Sequence, residues 1–319
     1  LFAQSIGLTK QAVYSWINKK TEPEESRLWD IISALDLSEL EIDTLLGVAP
    51  TLVEFRKKRL DEPDEKLRDK SKELAEMFFK IDGSSYVLKD SFFSGVTQSD
   101  PQLIAGYIRK LLNIEYDEPV TLTKLLTELR KHNLNVFFLP FKRMGFPLKG
   151  GTAQEVAFTA KKGSRVIIFV DTDRTIDEAT FDICHELPHI IRNTGDDTHS
   201  EEEERLCNKV AQELVYPIKF LNRNSEIISV FTDAKKYGWN KATEVFYEFL
   251  KEFDWSPKGL AITLKDNALI KSGSYEFKQL MALNKALFKN HKTLDELFYP
   301  NFITSNFKSL VSFFSNDLQ

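Results

Sequence analysis

The chain has 319 residues, 42% hydrophobic and 29% charged, with a formal net charge of −5. That length exceeds what one compact core usually holds, so two or three domains of ordinary globular composition are expected. The acidic balance excludes a global basic field for nucleic acid, two cysteines exclude a disulfide framework, and no run of about 18 apolar residues offers a membrane span.

Phe is frequent, with 25 copies, and Gly scarce, with 13, which favours a helix-rich, aromatic-packed fold. The chain opens on Leu1-Phe2-Ala3, without an initiator Met or a signal-peptide pattern. A cytoplasmic chain lacking its true N-terminus is the expectation.

Residues 1–47 read as short helices. Ser5-Ile6-Gly7-Leu8-Thr9 is a tight turn, and Thr9 is a good N-cap for a helix running to Asn18. Apolar spacing over Leu28, Ile31, Ile32 and Leu35, then over Leu40, Ile42, Leu45 and Leu46, predicts two more helices. Residues 51–100 read as a charged helical linker that includes Arg56-Lys57-Lys58-Arg59.

Residues 101–139 predict two helices and then a strand, Asn135–Leu139. Two β-runs, Glu155–Ala160 and Arg165–Val170, are joined by Lys161-Lys162-Gly163-Ser164 as a hairpin. A helix from Asp177 to Arg192 follows, then a polar loop over 193–200, then a helix over 201–215 stopped by Pro217. Residues 218–270 are helical again, with Ser256-Pro257 starting one helix as N-cap and first residue.

His185-Glu186-Leu187-Pro188-His189 fits the pattern H-E-x-x-H. Positions four apart share one helix face, so both imidazoles can reach one ion. Glu186 can then act as general base on water at the open coordination position. The helix over 201–215 offers Glu204 as third zinc ligand, with Asn208 four residues on, placed to orient a ligand. Cys184 and Cys207 adjoin these positions and read as small core residues, a thiolate ligand being the rival reading. Tyr216, His199 and Arg192 are candidates for stabilising an oxyanion.

Two blocks carry a family resemblance. Ala179-Thr180-Phe181-Asp182-Ile183-Cys184-His185-Glu186-Leu187-Pro188-His189 is followed by Glu204-Arg205-Leu206-Cys207-Asn208-Lys209-Val210-Ala211-Gln212-Glu213-Leu214-Val215-Tyr216-Pro217. Together they resemble the ImmA/IrrE family of gluzincin-like metallopeptidases, with Cys207 and Val210 standing where the family carries Ala and Phe. The resemblance implies a zinc-dependent endopeptidase that cleaves a transcriptional repressor after DNA damage, stress or mobile-element induction. One departure is Pro188, where the family has Gly or Ala. Inside a helix proline removes a backbone bond and crowds the carbonyl of Cys184, a cost of about 3 kcal/mol. A tolerated kink that keeps both imidazoles on one ion is expected.

Ala3, Gly7 and Val13 have the spacing of a helix-turn-helix: a close helix approach, the turn and a packing residue. Residues 1–47 resemble the XRE/Cro-like family, with its first helix almost wholly absent. The resemblance implies a recognition helix presenting Thr9, Lys10, Gln11, Tyr14, Ser15 and Asn18 to DNA. The segment is acidic overall, but Lys10, Lys19 and Lys20 cluster at that helix. Residues 256–267 resemble a helix that follows the family's peptidase core. The Phe-rich tail, including Phe277, Phe288, Phe298, Phe302, Phe307, Phe313 and Phe314, reads as a small core or a homodimer contact.

The expected fold is α+β and mostly helical. A helix-turn-helix over 1–50 and the linker over 51–100 precede a zincin-like metallopeptidase core over 101–220 with a small β-sheet, and a helical C-terminal region covers 221–319. The expected activity is zinc-dependent proteolysis of a repressor-like partner, with possible substrate pairing along Arg165–Val170 if that strand is an edge. The rivals are a DNA-binding regulator whose peptidase-like part senses a ligand, and a phage-defence or toxin-type protease.

Overall fold

The computed structural model describes residues 2–18, 20–21, 23, 27, 31, 34–35, 51–55, 65–81, 99–149, 152–153, 156–192, 201–232, 239–288 and 293–295. Most of the two helices expected over 27–46, the run Arg56–Arg59, the loop 193–200 with His199, and Phe298 to Phe314 lie outside these residues. The fold is α+β and mostly helical, around a small mixed sheet.

Two short helices open it, α1 (Phe2–Ser5) and α2 (Lys10–Ile17). Gly7 takes a positive φ of 67° between them, a conformation glycine adopts without a Cβ clash. The hydroxyl of Thr9 accepts from the backbone N–H of Ala12 at 3.2 Å, which is the N-cap role expected of it.

The sheet has the order β1-β5-β6-β2, built from β1 (Thr51–Phe55), β2 (Asn135–Leu139), β5 (Ala157–Lys162) and β6 (Arg165–Asp171). A separate two-stranded ribbon pairs β3 (Leu148–Lys149) with β4 (Thr152–Ala153). β5 and β6 form the expected hairpin, but with a tighter connection: Lys161 and Lys162, expected in the loop, pair with Val166 and Arg165 as part of β5. Gly163 has a φ of 61° and Ser164 has none above zero, the pattern of a type II′ turn, whose twist matches that of the strands.

Two expectations are corrected here. Thr51–Phe55 is a strand paired antiparallel with β5, not part of a helical linker. Its Thr, Val and Phe suit a pleated surface, and β5 offers them an edge. β6 is not an edge either: it lies between β5 and β2, so both its hydrogen-bonding sides are taken and it cannot accept a substrate strand.

Both faces of this sheet are covered, which is why β6 reads as an unbroken apolar run. Period-2 alternation sends Val166, Ile168 and Val170 into one core cluster and Ile167 and Phe169 into the other. The second cluster is closed by α3 (Glu65–Ile81), whose Leu67, Leu74, Ala75 and Phe79 are buried while charged residues occupy its outer side. Much of the Phe excess is spent here: Phe141, Phe146, Phe158 and Phe169 form a run of rings with neighbouring centroids 4.5 to 5.6 Å apart.

The first cluster packs helices on the opposite face: α4 (Pro101–Leu111), α5 (Leu122–Lys131), α6 (Ile176–Arg192) and α7 (Glu201–Val215). α8 (Ile218–Arg223), α9 (Ser225–Thr232), α10 (Trp239–Glu252), α11 (Pro257–Asp266) and α12 (Tyr275–Phe288) extend it. Phe277 packs against this cluster, as a core reading of the Phe-rich tail requires. Arg109 on α4 is buried and donates to four carbonyls, those of Glu115, Glu118, Glu213 and Leu214, tying the end of α7 to α4. No helix among the described residues is long and apolar enough to cross a membrane.

Candidate metal centre

The helix that carries the motif is well started. Thr175-Ile176-Asp177-Glu178 is a capping-box spacing, and the backbone N–H of Thr175 donates to the Glu178 carboxylate at 3.3 Å. Asp177 and Glu178 place negative charge on the first turn, where the helix dipole favours it. From there α6 runs unbroken through Pro188 to Arg192, so the proline does not carry the second histidine away.

His185 and His189 lie one turn apart with ring centroids separated by 5.2 Å. Glu204 reaches across from α7 and spans both. Its Oε2 is 3.4 Å from His185 Nε2, and its Oε1 is 3.6 Å from His189 Nε2. A tetrahedral ion with bonds of about 2.1 Å places its ligand atoms about 3.4 Å apart. Glu204 therefore stands at that separation from both imidazoles, and the three ligand atoms all lie within 4.8 Å of one another. All three are buried, and together they could hold a metal ion.

Glu186, between the two histidines in the sequence, also meets the sheet. Thr159 on β5 donates its hydroxyl to Glu186 Oε2 at 2.6 Å, and both residues are buried. Sequence reasoning missed Thr159. The available signal was a polar residue alternating with Phe158 and Ala160 in a strand, on the same face as Ala157.

Glu203, next to the third candidate ligand, is buried as well and pairs with Arg192 Nε at 3.2 Å. Three buried carboxylates, Glu186, Glu203 and Glu204, thus sit close to one another. Burying carboxylates together calls for compensating positive charge; Arg192 gives it to Glu203, and a divalent cation could give it to the others.

Burial pushes the Cys184 thiol up to about 12, as suits a residue packed in the core. Cys207 is pushed up further, by burial first and then by the neighbouring carboxylates of Glu203, Glu204 and Glu186. Tyr216 buries its ring against Trp255, and its hydroxyl meets Ser256 and Gly259 of α11. Burial raises that hydroxyl's pKa, with Asp177 adding to the effect.

A cavity of about 460 Å³ opens between α6, α7 and α11, lined by Phe181, Asp182, Asn208, Gln212, Ile262 and Asp266 among others. Phe181 precedes His185 by four residues and Asn208 follows Glu204 by four, so the cavity begins one helical turn from the donor group. Asn208 thus lines this space.

In α2, Lys10, Gln11 and Tyr14 are exposed, together with Thr9 and Asn18 at its two ends. Ser15 is half-buried and accepts from the Thr21 hydroxyl at 2.9 Å, and the Asn18 amide donates to the Tyr14 carbonyl at 2.7 Å. Comparison with family models, with curated proteins and with solved structures finds no match for this chain.

Proposed function

We propose that this chain is a zinc-dependent endopeptidase joined to a DNA-binding helix-turn-helix, acting on a repressor-like regulatory protein. The observation that carries the reading is the meeting of His185, His189 and Glu204, with Glu204 at coordination spacing from both imidazoles and Glu186 on the helix of the two histidines. Two imidazoles and one carboxylate are the donor set of hydrolytic zinc sites, which supports zinc among the divalent ions.

A zinc ion held by these three would polarise the scissile carbonyl and acidify the attacking water. Glu186 takes the water proton on its carboxylate and returns it to the leaving amine. Thr159 holds that carboxylate at 2.6 Å, which fixes the direction in which it accepts and releases the proton. The resemblance of the two motif blocks to the ImmA/IrrE family supports a protein substrate and a stress, DNA-damage or mobile-element trigger. The exposed Lys10, Gln11 and Tyr14 of α2 support a DNA contact that localises the enzyme.

A second reading is favoured by the cavity next to the donor group: a DNA-binding regulator whose peptidase-like part senses a small molecule there. One experiment separates the two. Purified protein is dialysed against zinc, its metal content measured, and wild type and Glu186→Gln are incubated with candidate repressors encoded beside it. About one zinc per chain, lost in His185→Ala, with cleavage by wild type alone, is the expected result. Identical fragment patterns from the two proteins end the peptidase reading.

A further inference from the structure

A second group of donors adjoins the first. His189, Glu203 and Cys207 are buried, and one ligand atom from each lies within 4.8 Å of the other two. Glu203 and Cys207 are four residues apart on α7 and share a face, and the Cys207 thiol approaches Glu203 Oε1 at 4.0 Å. His189 completes the group from α6. Neither Glu203 nor Cys207 has a role in the hydrolysis described above.

The two groups differ in chemistry. His185, His189 and Glu204 offer nitrogen and oxygen, whereas His189, Glu203 and Cys207 add sulfur. Soft divalent ions prefer thiolate, and harder ones tolerate its absence. The groups also share one member. A neutral imidazole has a single acceptor nitrogen, so His189 serves one ion at a time.

We propose that His189, Glu203 and Cys207 form a second ion site that takes thiophilic divalent ions such as cadmium, in competition with the His185–His189–Glu204 site. As the ion binds, a bond forms to Cys207 Sγ, the S–H bond breaks and its proton leaves to solvent; nothing is oxidised or reduced. The ion's two charges offset the new thiolate and the Glu203 carboxylate. Arg192, 3.2 Å from Glu203 Oε1, adds a further positive charge beside the site. Occupation of this site withdraws His189 from the first one, so a thiophilic ion switches the first site off. The inference stands on side-chain placement and does not need the chain to be a hydrolase.

The test is a titration of the metal-stripped full chain with cadmium chloride, read by sulfur-to-cadmium charge-transfer absorption in the ultraviolet. The band should saturate at one ion per chain, vanish in Cys207→Ser and in Cys207→Ala, and persist in Cys184→Ser and His185→Ala. Circular dichroism checks that each variant is folded. If both Cys207 variants unfold, Glu203→Gln serves instead, and it should weaken cadmium at least 10-fold. Cadmium binding without the band, a band that survives loss of Cys207, or no cadmium binding at all overturns the proposal. Those outcomes leave the peptidase reading standing, while identical fragments from wild type and Glu186→Gln sink that reading and leave this one intact.

Discussion

Thr159 and Glu186 join the sheet to the motif helix through a buried hydrogen bond of 2.6 Å. The strand supplies the donor and the helix supplies the carboxylate, so β5 sets the orientation of the residue assigned the proton transfer. Thr159→Val keeps the shape and removes the donor. Cleavage rate should fall about 10-fold or more, equivalent to about 1.4 kcal/mol, with zinc content unchanged. Thr159→Ser should restore most of the rate. Steady-state kinetics beside metal analysis checks this, and equal rates for wild type and the Val variant would refute it.

Metal binding should appear as stability. A ligand that binds only the folded chain adds about 2.7 kcal/mol when present at about 100 times its dissociation constant. Thermal unfolding with excess zinc should therefore exceed that with a chelator, and the difference should disappear in His185→Ala and Glu204→Gln. A melting temperature indifferent to zinc would count against the donor group as a metal site.

Asp171 gives a pH signature outside the centre. Burial lifts its pKa from 3.8 to about 6, although the N–H groups of Phe141 and Asp173 both donate to its carboxylate. Its folded pKa lies above its unfolded one, so the folded chain holds the proton more tightly. The stability this contributes is full at low pH and is lost as pH rises from about 4 through 6. The loss is at most about 3 kcal/mol. Asp171→Asn should remove this part of the pH dependence, gaining on the wild type between pH 4 and 6 in urea unfolding. Parallel pH curves for the two proteins would contradict the assignment.

Arg109 should matter for folding. Its guanidinium meets four carbonyls from two separate segments, and desolvation lowers its pKa without any exposed surface to relieve it. Arg109→Met removes the donor that these carbonyls share, although the N–H groups of Val120 and Glu118 still serve Leu214 and Glu115, and should cost about 3 kcal/mol in urea unfolding. Arg109→Lys should rescue little, because an ammonium cannot fork between two pairs of acceptors. A Lys variant as stable as wild type would show that charge alone suffices there.

The local elements of this chain were legible in its sequence. Asn135–Leu139, the β5–β6 hairpin, the helix through His185 and the helix carrying Glu204 all follow from periodicity, turn residues and caps, which act over a few positions. So did the pairing of His185 with His189, since four residues on a helix always share a face. What needed the tertiary structure were contacts between segments far apart in the chain. Thr51–Phe55 read as charged linker because only the edge of β5 makes it a strand, and Arg165–Val170 read as a potential edge because only β2 closes its other side. Thr159 meets Glu186 across 27 residues, and Cys207 meets His189 across two helices. Hydrophobic pattern records which face a residue turns inward, but not which inward-facing residue it will meet. That choice is made by how helices and sheet pack, and here it is the packing of α6 against α7 and β5 that assembles the candidate centre.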